Sequence, residues 1–462
     1  MRILLRTLTS LFLAVVLLLT FAVPAWAFCG FYVGGADAKI FNESSQVIIA
    51  HQDDKTILTM ANDFQGAVKD FALVVPVPVA IKREQVNIGD KRVIQKLDAF
   101  SQPRLVEYND PDPCPTPRSD NESASQSNDQ LNQVPGSRNS ARSRAVPRDL
   151  GVTIEDQFKV KEYEILILSA KESDGLETWL RTNGYQIPKG ASEVLAPYIR
   201  QKMKFFVAKV DLKEFKSTGL EALRPLQIAY QSPKFMLPIR LGMLNAKGDQ
   251  DLVAYILSPK GQVEVANYRT VKVPTGQEIP EFVKEDFGKF YKTTFQRSYE
   301  QENKKVAFLE YAWDVSNCDP CSTTPPTSEE LRKAGVFWEN NNQDVIISPR
   351  QRGRRFVSNN TFITRLHVRY SRAQFAEDLV FQETSNRDNF QGRYVMNHPY
   401  RGTLTCSAAQ AYQRKVIDRQ QQEAQNLAKL TGWNIADIRK QIQPLAAYQP
   451  TSSDNKPFWP WK

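Results

Sequence analysis

Apolar residues along this chain come in short blocks, alternating with polar ones or running continuously for four to eight positions, which is the spacing of strands more than of helices. Val47 to Met60 and Asp70 to Ile81 read as strands, with Asp53-Asp54-Lys55 suited to a hairpin tip. Val74-Val75-Pro76-Val77-Pro78-Val79 wants burial, yet proline cannot donate to a ladder, so an edge strand or a strand end is predicted there. Phe158 to Ser169 alternates and then turns continuously apolar at Ile165-Leu166-Ile167-Leu168, as a strand does on entering a core. Leu176, Trp179 and Leu180 then share a helical face that stops at Asn183-Gly184, and Val194 to Ile199 makes a second short helix.

Lys204 to Leu212, Leu226 to Tyr230, Lys234 to Met243 and Asp251 to Leu257 read as successive strands, the last two joined by a turn at Asn245-Ala-Lys-Gly248. Phe282, Val283, Phe287, Phe290, Tyr291 and Phe295 fall at helical spacing and predict an aromatic packing face. Strands resume at Val306 to Trp313, Asp344 to Ser348, Thr361 to Tyr370 and Gly392 to Met396. A long C-terminal helix follows from about Ser407 to Leu430; Ala408, Tyr412, Val416 and Leu427 make a thin stripe that predicts a surface helix or one that meets a partner. The predicted class is α+β, with β-rich mixed or antiparallel sheets and flanking helices.

Between Pro115 and Pro147 the composition collapses to Ser, Asn, Gln, Arg and Pro, which cannot bury a core and predicts a disordered loop over 115–149. Residues 28–114 hold too few strands for a sheet of their own, so 150–275 is expected to complete the same β-rich domain. A second α+β region is expected over 276–448, and 449–462 is an aromatic tail ending in Phe458-Trp459-Pro460-Trp461.

The first 27 residues add an address. Arg2 and Arg6 precede an apolar run from Leu11 to Val23, and Ala25-Trp26-Ala27 matches a signal-peptidase site, so a signal peptide over 1–27 is expected to be cleaved after Ala27. The run is shorter than the roughly 20 residues a spanning helix needs, so no transmembrane helix is expected after cleavage. Export places the protein in the periplasm or outside the cell, where disulfides persist.

Charge narrows the partners little. The net charge is +9 over 462 residues, with both signs mixed, and no nucleic-acid reading module accompanies it, which sets nucleic acid aside. The densest basic stretch, Arg350, Arg352, Arg354 and Arg355 followed by Arg365, Arg369 and Arg372, is a solvated loop or a weak anionic-surface site, with a membrane surface among the surfaces it would meet.

Five cysteines, Cys29, Cys114, Cys318, Cys321 and Cys406, allow two disulfides and one thiol, with the pairing open. Cys318-Asp-Pro-Cys321 has the spacing of a redox pair, but the proline-rich segment after it delays the next helix to a cap at Thr327 or Ser328, so the helix terminus that would activate Cys318 is missing. A structural loop disulfide is the preferred reading and a thiol-disulfide oxidoreductase the alternative.

His51, His367 and His398 stand singly, without metal-ligand spacing, and no nucleophile elbow or phosphate loop occurs, so neither metal nor cofactor is expected. Asp53-Asp54 and Asp110-Pro-Asp112-Pro read as turns more than as acid–base pairs.

Phe28-Cys-Gly-Phe-Tyr-Val33, Leu58-Thr-Met-Ala-Asn-Asp-Phe64, Asp70-Phe-Ala-Leu-Val-Val-Pro-Val-Pro78, Asp110-Pro-Asp-Pro-Cys114 and Phe235-Met-Leu-Pro-Ile-Arg-Leu241 together resemble the secreted bacterial domain-of-unknown-function family 2330. The resemblance brings no activity, ligand or catalytic residue. It implies that Cys29 and Cys114, both inside the shared pattern, pair with each other and leave Cys406 as the odd thiol. The resulting expectation is a non-catalytic binding or scaffolding protein of the bacterial cell envelope, its partner an unidentified envelope component.

Overall fold

Both faces of the central strands are apolar, and this dictates layers. Val47 and Ile49 enter one buried cluster while Ile48 and Ala50, between and beyond them, enter another, so the sheet that carries them must be covered on each side. The structure, a computed structural model, describes residues 31–34, 42–61, 71–114, 151–185, 190–218, 223–244, 246–317, 319–320, 322–339, 360–371, 373–375 and 377–445. The predicted signal peptide, the 115–149 loop, the Asp344–Ser348 strand and the aromatic tail lie outside them.

In chain order, β1 (Phe31–Gly34), β2 (Asn42–Gln52), β3 (Lys55–Met60) and β4 (Phe71–Val77) precede β5 (Val86–Ile88), helix α1 (Lys91–Ser101) and β6 (Arg104–Asn109). Next are β7 (Val152–Val160), β8 (Tyr163–Ala170), α2 (Ser173–Thr182), α3 (Ala191–Arg200), β9 (Lys204–Val210) and α4 (Leu212–Ser217). The middle continues with β10 (Leu226–Gln231), β11 (Met236–Leu237), β12 (Ala246–Ser258), β13 (Val263–Val265), β14 (Arg269–Lys272) and β15 (Gln277–Glu278). The last third holds α5 (Phe287–Gln301), β16 (Val306–Asp314), α6 (Ser328–Lys333), β17 (Phe362–Tyr370), β18 (Leu379–Glu383), β19 (Phe390–Gln391), β20 (Arg393–His398), α7 (Ser407–Thr431) and α8 (Ile435–Gln441).

Two sheets form the body. One runs β1-β4-β9-β8-β7 and is antiparallel throughout. The other runs β14-β16-β17-β12-β2-β3-β10-β5, with parallel pairs only at β14–β16 and β12–β2. They pack face to face, Val47, Ile49 and Leu58 of one against Leu73, Val75, Ile165 and Phe206 of the other. Helices α2 and α3 cover the outer face of the first sheet through Leu176, Leu180, Leu195 and Tyr198, against Ala72, Val74, Phe205 and Val207. Helices α1 and α6 cover the second through Val93, Ile94, Leu97, Phe100 and Leu331. The result is a helix–sheet–sheet–helix stack of α+β class, as the alternation and helical spacing predict.

A small parallel sheet, β15-β20-β6, stands apart and carries the C-terminal helices α5, α7 and α8 through Ile279, Phe290, Tyr394, Met396, Ala424 and Leu427. Among the described residues no helix is long and apolar enough to cross a membrane.

Several local expectations meet their cause here. Asp53, at φ 54°, and Asp54 form the tip between β2 and β3. Pro76 sits opposite Phe205 of β9, one residue before β4 ends at Val77, so the proline lies at a strand end. Thr327 caps α6, its hydroxyl accepting from Glu330 N and the Glu330 carboxylate accepting from Thr327 N.

Other expectations are corrected. Lys234–Met243 is not a strand, because Pro238 ends β11 after Leu237 and the chain turns into a 3₁₀ helix at Arg240–Leu244. The Asn245–Gly248 turn is no hairpin tip; from Ala246 the chain is already β12, which pairs with β2 across a bulge before Asp251. The aromatic segment from Phe282 is two elements, a 3₁₀ helix at Glu281–Asp286 and then α5, started by Asp286 accepting from Lys289 N. Helix α7 is no thinly striped surface helix: it buries Val416, Gln420, Glu423, Ala424, Leu427 and Leu430, and two of those six are polar, which is why hydropathy alone understates its contact face.

Candidate functional site

Charge is buried in two places, and they differ in whether that charge is already satisfied. The first is a row on β17. Arg365, His367 and Arg369 alternate, so they share the helix-covered face of the larger sheet with Ile363. On β16 the register slips between Leu309 and Tyr311, and the extra residue, Glu310, is turned onto that row. Glu310 accepts from Arg365 Nε at 2.5 Å, from Tyr291 OH, and faces His367 Nδ1 at 2.8 Å. Arg365 Nη1 also donates to Asp98 of α1 at 2.7 Å, Arg369 donates twice to Asp251 at 2.7 Å, and the Phe295 ring stacks on His367 at 3.8 Å.

Burial raises the Glu310 carboxyl, but Arg365 and His367 outweigh it and bring it down to about 2. Burial likewise pulls His367 down, yet Glu310 and Asp251 lift it to about 9. Arg365, His367 and Arg369 each pair with a carboxylate of this row, which makes it a structural strut tying α1, α5 and three strands together. Arg365 and Arg369 are therefore not part of an exposed basic patch; Arg365 is 7% exposed.

The second place is a cleft at the carboxyl ends of the three parallel strands. Because β15, β20 and β6 run the same way, the segments that leave them emerge together: Glu281 after β15, Asn397 to Arg401 from β20, and Asp110 after β6. That edge is where open parallel sheets ordinarily bind ligands. Helix α7 and the end of α8 close the other wall with Gln420, Glu423 and Gln441, leaving a cavity of about 200 Å³ with Phe282 and Ile442 as its apolar lining.

Carboxylates of three kinds face or flank this cleft. Glu281 is fully engaged, one oxygen 2.8 Å from His398 Nδ1 and the other accepting from Arg401 at 2.6 Å. His398 reaches Glu107 with its other nitrogen at 2.7 Å, and Glu107 also accepts from Lys284 at 2.8 Å. Burial alone would lower the His398 pKa, but Glu281 and Glu107 raise it. Asp110 is clamped from α7, accepting from Arg419 at 3.0 and 2.8 Å and from Tyr412 OH at 2.7 Å, which hold its carboxyl down against the effect of burial.

Glu423 is the exception. It is 3% exposed and its Oε1 makes no hydrogen bond. Its nearest cation, Arg419 Nε at 3.5 Å, belongs to a guanidinium already committed to Asp110. Burial, opposed by Arg419 and reinforced more weakly by Glu278, Glu281 and Asp110, pushes its pKa up to about 7. A buried carboxyl balanced between its two protonation states in a cleft is the kind of group found at functional sites.

One covalent tie frames the cleft. Cys114 and Cys406 form a disulfide with Cα atoms 5.7 Å apart, spanning 292 residues. This corrects the Cys29–Cys114 pairing and the odd thiol at Cys406. The reason is topological: β6 and β20 are adjacent and parallel, so the Asp110–Cys114 and Pro399–Cys406 extensions leave side by side.

Of the other residues singled out in the sequence, Cys29, Cys318, Cys321, Arg350, Arg352, Arg354 and Arg355 lie outside the described residues. Asp319, between the two CxxC cysteines, is buried and accepts from Tyr311 OH at 3.0 Å and Gln391 Nε2 at 2.8 Å, while the next helix begins only at Ser328. Asp110 is no simple turn residue but half of the clamp on α7. Glu281, Gln420 and Glu423 went unmarked in the sequence; the signal available was a pair of polar residues at Gln420 and Glu423, one turn apart and in line with Val416 and Leu427. Among the described residues no group of three or more His, Cys, Asp and Glu could hold a metal ion.

Residues 23–382 match a family model described as "Uncharacterized protein conserved in bacteria (DUF2330)". The match takes in the whole β17 strut and the Glu281 side of the cleft, while the α7 wall lies beyond it. No curated protein and no solved structure matches the chain.

Proposed function

The chain belongs to the DUF2330 family of uncharacterized proteins conserved in bacteria, and on that footing we propose that it is an exported, non-catalytic binding component of the cell envelope, with the cleft under α7 as its ligand seat. The observation that carries this reading is the Cys114–Cys406 bridge. A disulfide joining two cleft-forming segments is stable in an oxidising compartment and is reduced in a bacterial cytosol. The N-terminal residues Arg2 to Ala27, with the composition and cleavage site of a signal peptide, supply the route.

Binding is favoured over hydrolysis by the occupancy of the acids. Acid–base catalysis on a pair of carboxyls needs both at liberty. Glu281 has each oxygen in an ion pair, Glu285 is exposed at the rim and Glu423 lies against Arg419 at 3.5 Å, so these acids do not form a pair of carboxyls at liberty.

Fractionation of bacteria expressing the full chain, followed by N-terminal sequencing, tests the address. The expected result is protein in the periplasm or medium beginning at Phe28. Protein retained in the cytosol with Met1 intact would overturn the reading.

A further inference from the structure

We propose that the first part of α7 is a redox-operated strap: reduction of the Cys114–Cys406 bond by a dithiol releases Ser407–Lys415 from the segment that leaves β6, while Val416–Leu430 stay packed. The release of the helix is independent of what the cleft holds; its consequence for the cleft rests on the binding reading given above.

The two parts of α7 are held by different means. From Val416 onward the helix is built into the core, burying Val416, Ala424, Leu427 and Leu430, the last three in the cluster with Ile279 and Tyr394. Its C-terminal end is closed by Gly432, at φ 77°, whose N–H donates to Ala428 O at 2.8 Å. Across Ser407–Lys415 only Ala409 is buried. Cys406 occupies the N-cap without a side-chain hydrogen bond to the first turn, and that turn has no acidic residue to answer the helix dipole. A helix start of this kind frays when nothing outside the helix holds it.

What holds it is polar and covalent. Tyr412 OH donates to Asp110 at 2.7 Å and accepts from Tyr400 N at 2.6 Å. The disulfide fixes the N-cap itself to the segment that leaves β6. Hydrogen bonds exchange with water at little net gain, so the covalent tie is the decisive one. Arg419, beyond the boundary, donates to Asp110 at 3.0 and 2.8 Å and anchors the packed part whether the bond is closed or open.

Opening is a dithiol exchange. A thiolate of the donor attacks one sulfur of the bridge, the S–S bond breaks and the departing sulfur takes up a proton. The donor's second thiol, losing its proton, then attacks the mixed disulfide and frees the other cysteine. Two electrons and two protons pass from donor to chain, the donor leaves as a disulfide, and Cys114 and Cys406 become thiols. Pro399 and Arg401 of one cleft wall lie on the segment that leads into Cys406, whereas Gln420 and Glu423 of the other belong to the packed part. Reduction therefore loosens one wall and keeps the other.

The experiment is hydrogen–deuterium exchange read by mass spectrometry on the purified, disulfide-bonded protein, before and after treatment with dithiothreitol, alongside Cys114→Ser. Peptides covering Ser407–Lys415 should exchange about tenfold faster or more in the reduced protein and in Cys114→Ser, with Val416–Leu430 and β12 unchanged. Oxidised Tyr412→Phe should keep most of the protection of Ser407–Lys415, because the bond still fixes the N-cap. Reduction of the already folded wild type keeps the test open should Cys114→Ser fail to fold. Unaltered exchange across Ser407–Lys415 on reduction, faster exchange that runs on through Leu430, or an effect of dithiothreitol that folded Cys114→Ser does not reproduce would each overturn the proposal. So would a loss of protection in oxidised Tyr412→Phe as large as that in the reduced protein. Every readout is exchange in α7, so a failure of the binding reading is distinguishable from a failure of the strap.

Discussion

Replacing His367 with glutamine removes the one member of the β17 strut whose charge depends on pH near neutrality. In the folded protein His367 lies between Glu310 at 2.8 Å and Asp251 at 3.3 Å, and its pKa stands at about 9 against an ordinary value of 6.5. A group whose folded pKa is raised stabilises the fold through its bound proton. That stabilisation is complete below pH 6.5 and is lost as pH rises through 9. A shift of this size corresponds to about 3 kcal/mol, at about 1.4 kcal/mol per pH unit. Urea unfolding of the wild type and His367→Gln at pH 6 and pH 9.5 measures it, because groups elsewhere titrate alike in both proteins and cancel in the difference. The wild type should exceed the variant by about 3 kcal/mol more at pH 6 than at pH 9.5. A gap between the two proteins that is the same at both pH values would refute the argument that the strut holds His367 protonated.

Three further outcomes test the packing. Cys114→Ser, or reduction of the native protein, opens a loop of 292 residues and should lower stability by up to about 6 kcal/mol on the chain-entropy estimate, read by urea unfolding with and without reductant. Gly335 has φ 104° and a Cβ there would stand 2.7 Å from Ile57 Cγ2, so Gly335→Ala should cost about 1–3 kcal/mol, measured by thermal or urea unfolding. Phe100, fully buried and edge-on to Tyr311 at 5.5 Å, anchors α1 to the larger sheet; Phe100→Ala should cost about 3–5 kcal/mol by the same assay.

What the sequence makes legible is the two-sided burial of its strands. Continuous runs such as Ile165–Leu168 and the valines of β4 announce sheets covered on both faces, and Leu176, Trp179 and Leu180 announce a covering helix. Helix α1 has no counterpart among the predicted elements, although Val93, Ile94, Leu97 and Phe100 repeat at helical spacing behind an Asp90 cap. Its eleven residues sit between two short strands, and a reading by strand blocks passes over it.

The cleft was hidden for a different reason. It draws on Glu281 and Asn397, which the parallel pairing of β15, β20 and β6 brings to one edge opposite Glu423 of α7, and strand direction leaves no trace in local hydropathy. Glu310 escaped notice because its importance comes from a bulge, which re-aims one side chain without altering the apolar pattern of β16. The disulfide followed the same rule: sequence spacing gave Cys114 no reason to choose Cys406.

The Cys114–Cys406 bridge holds α7 over the cleft by joining the segments that leave β6 and β20. Peptide mapping of the unreduced protein recovered from bacteria, with free thiols alkylated before digestion, tests it most directly. The expected result is a linked peptide pair containing Cys114 and Cys406. A Cys29–Cys114 linkage with Cys406 alkylated would contradict it.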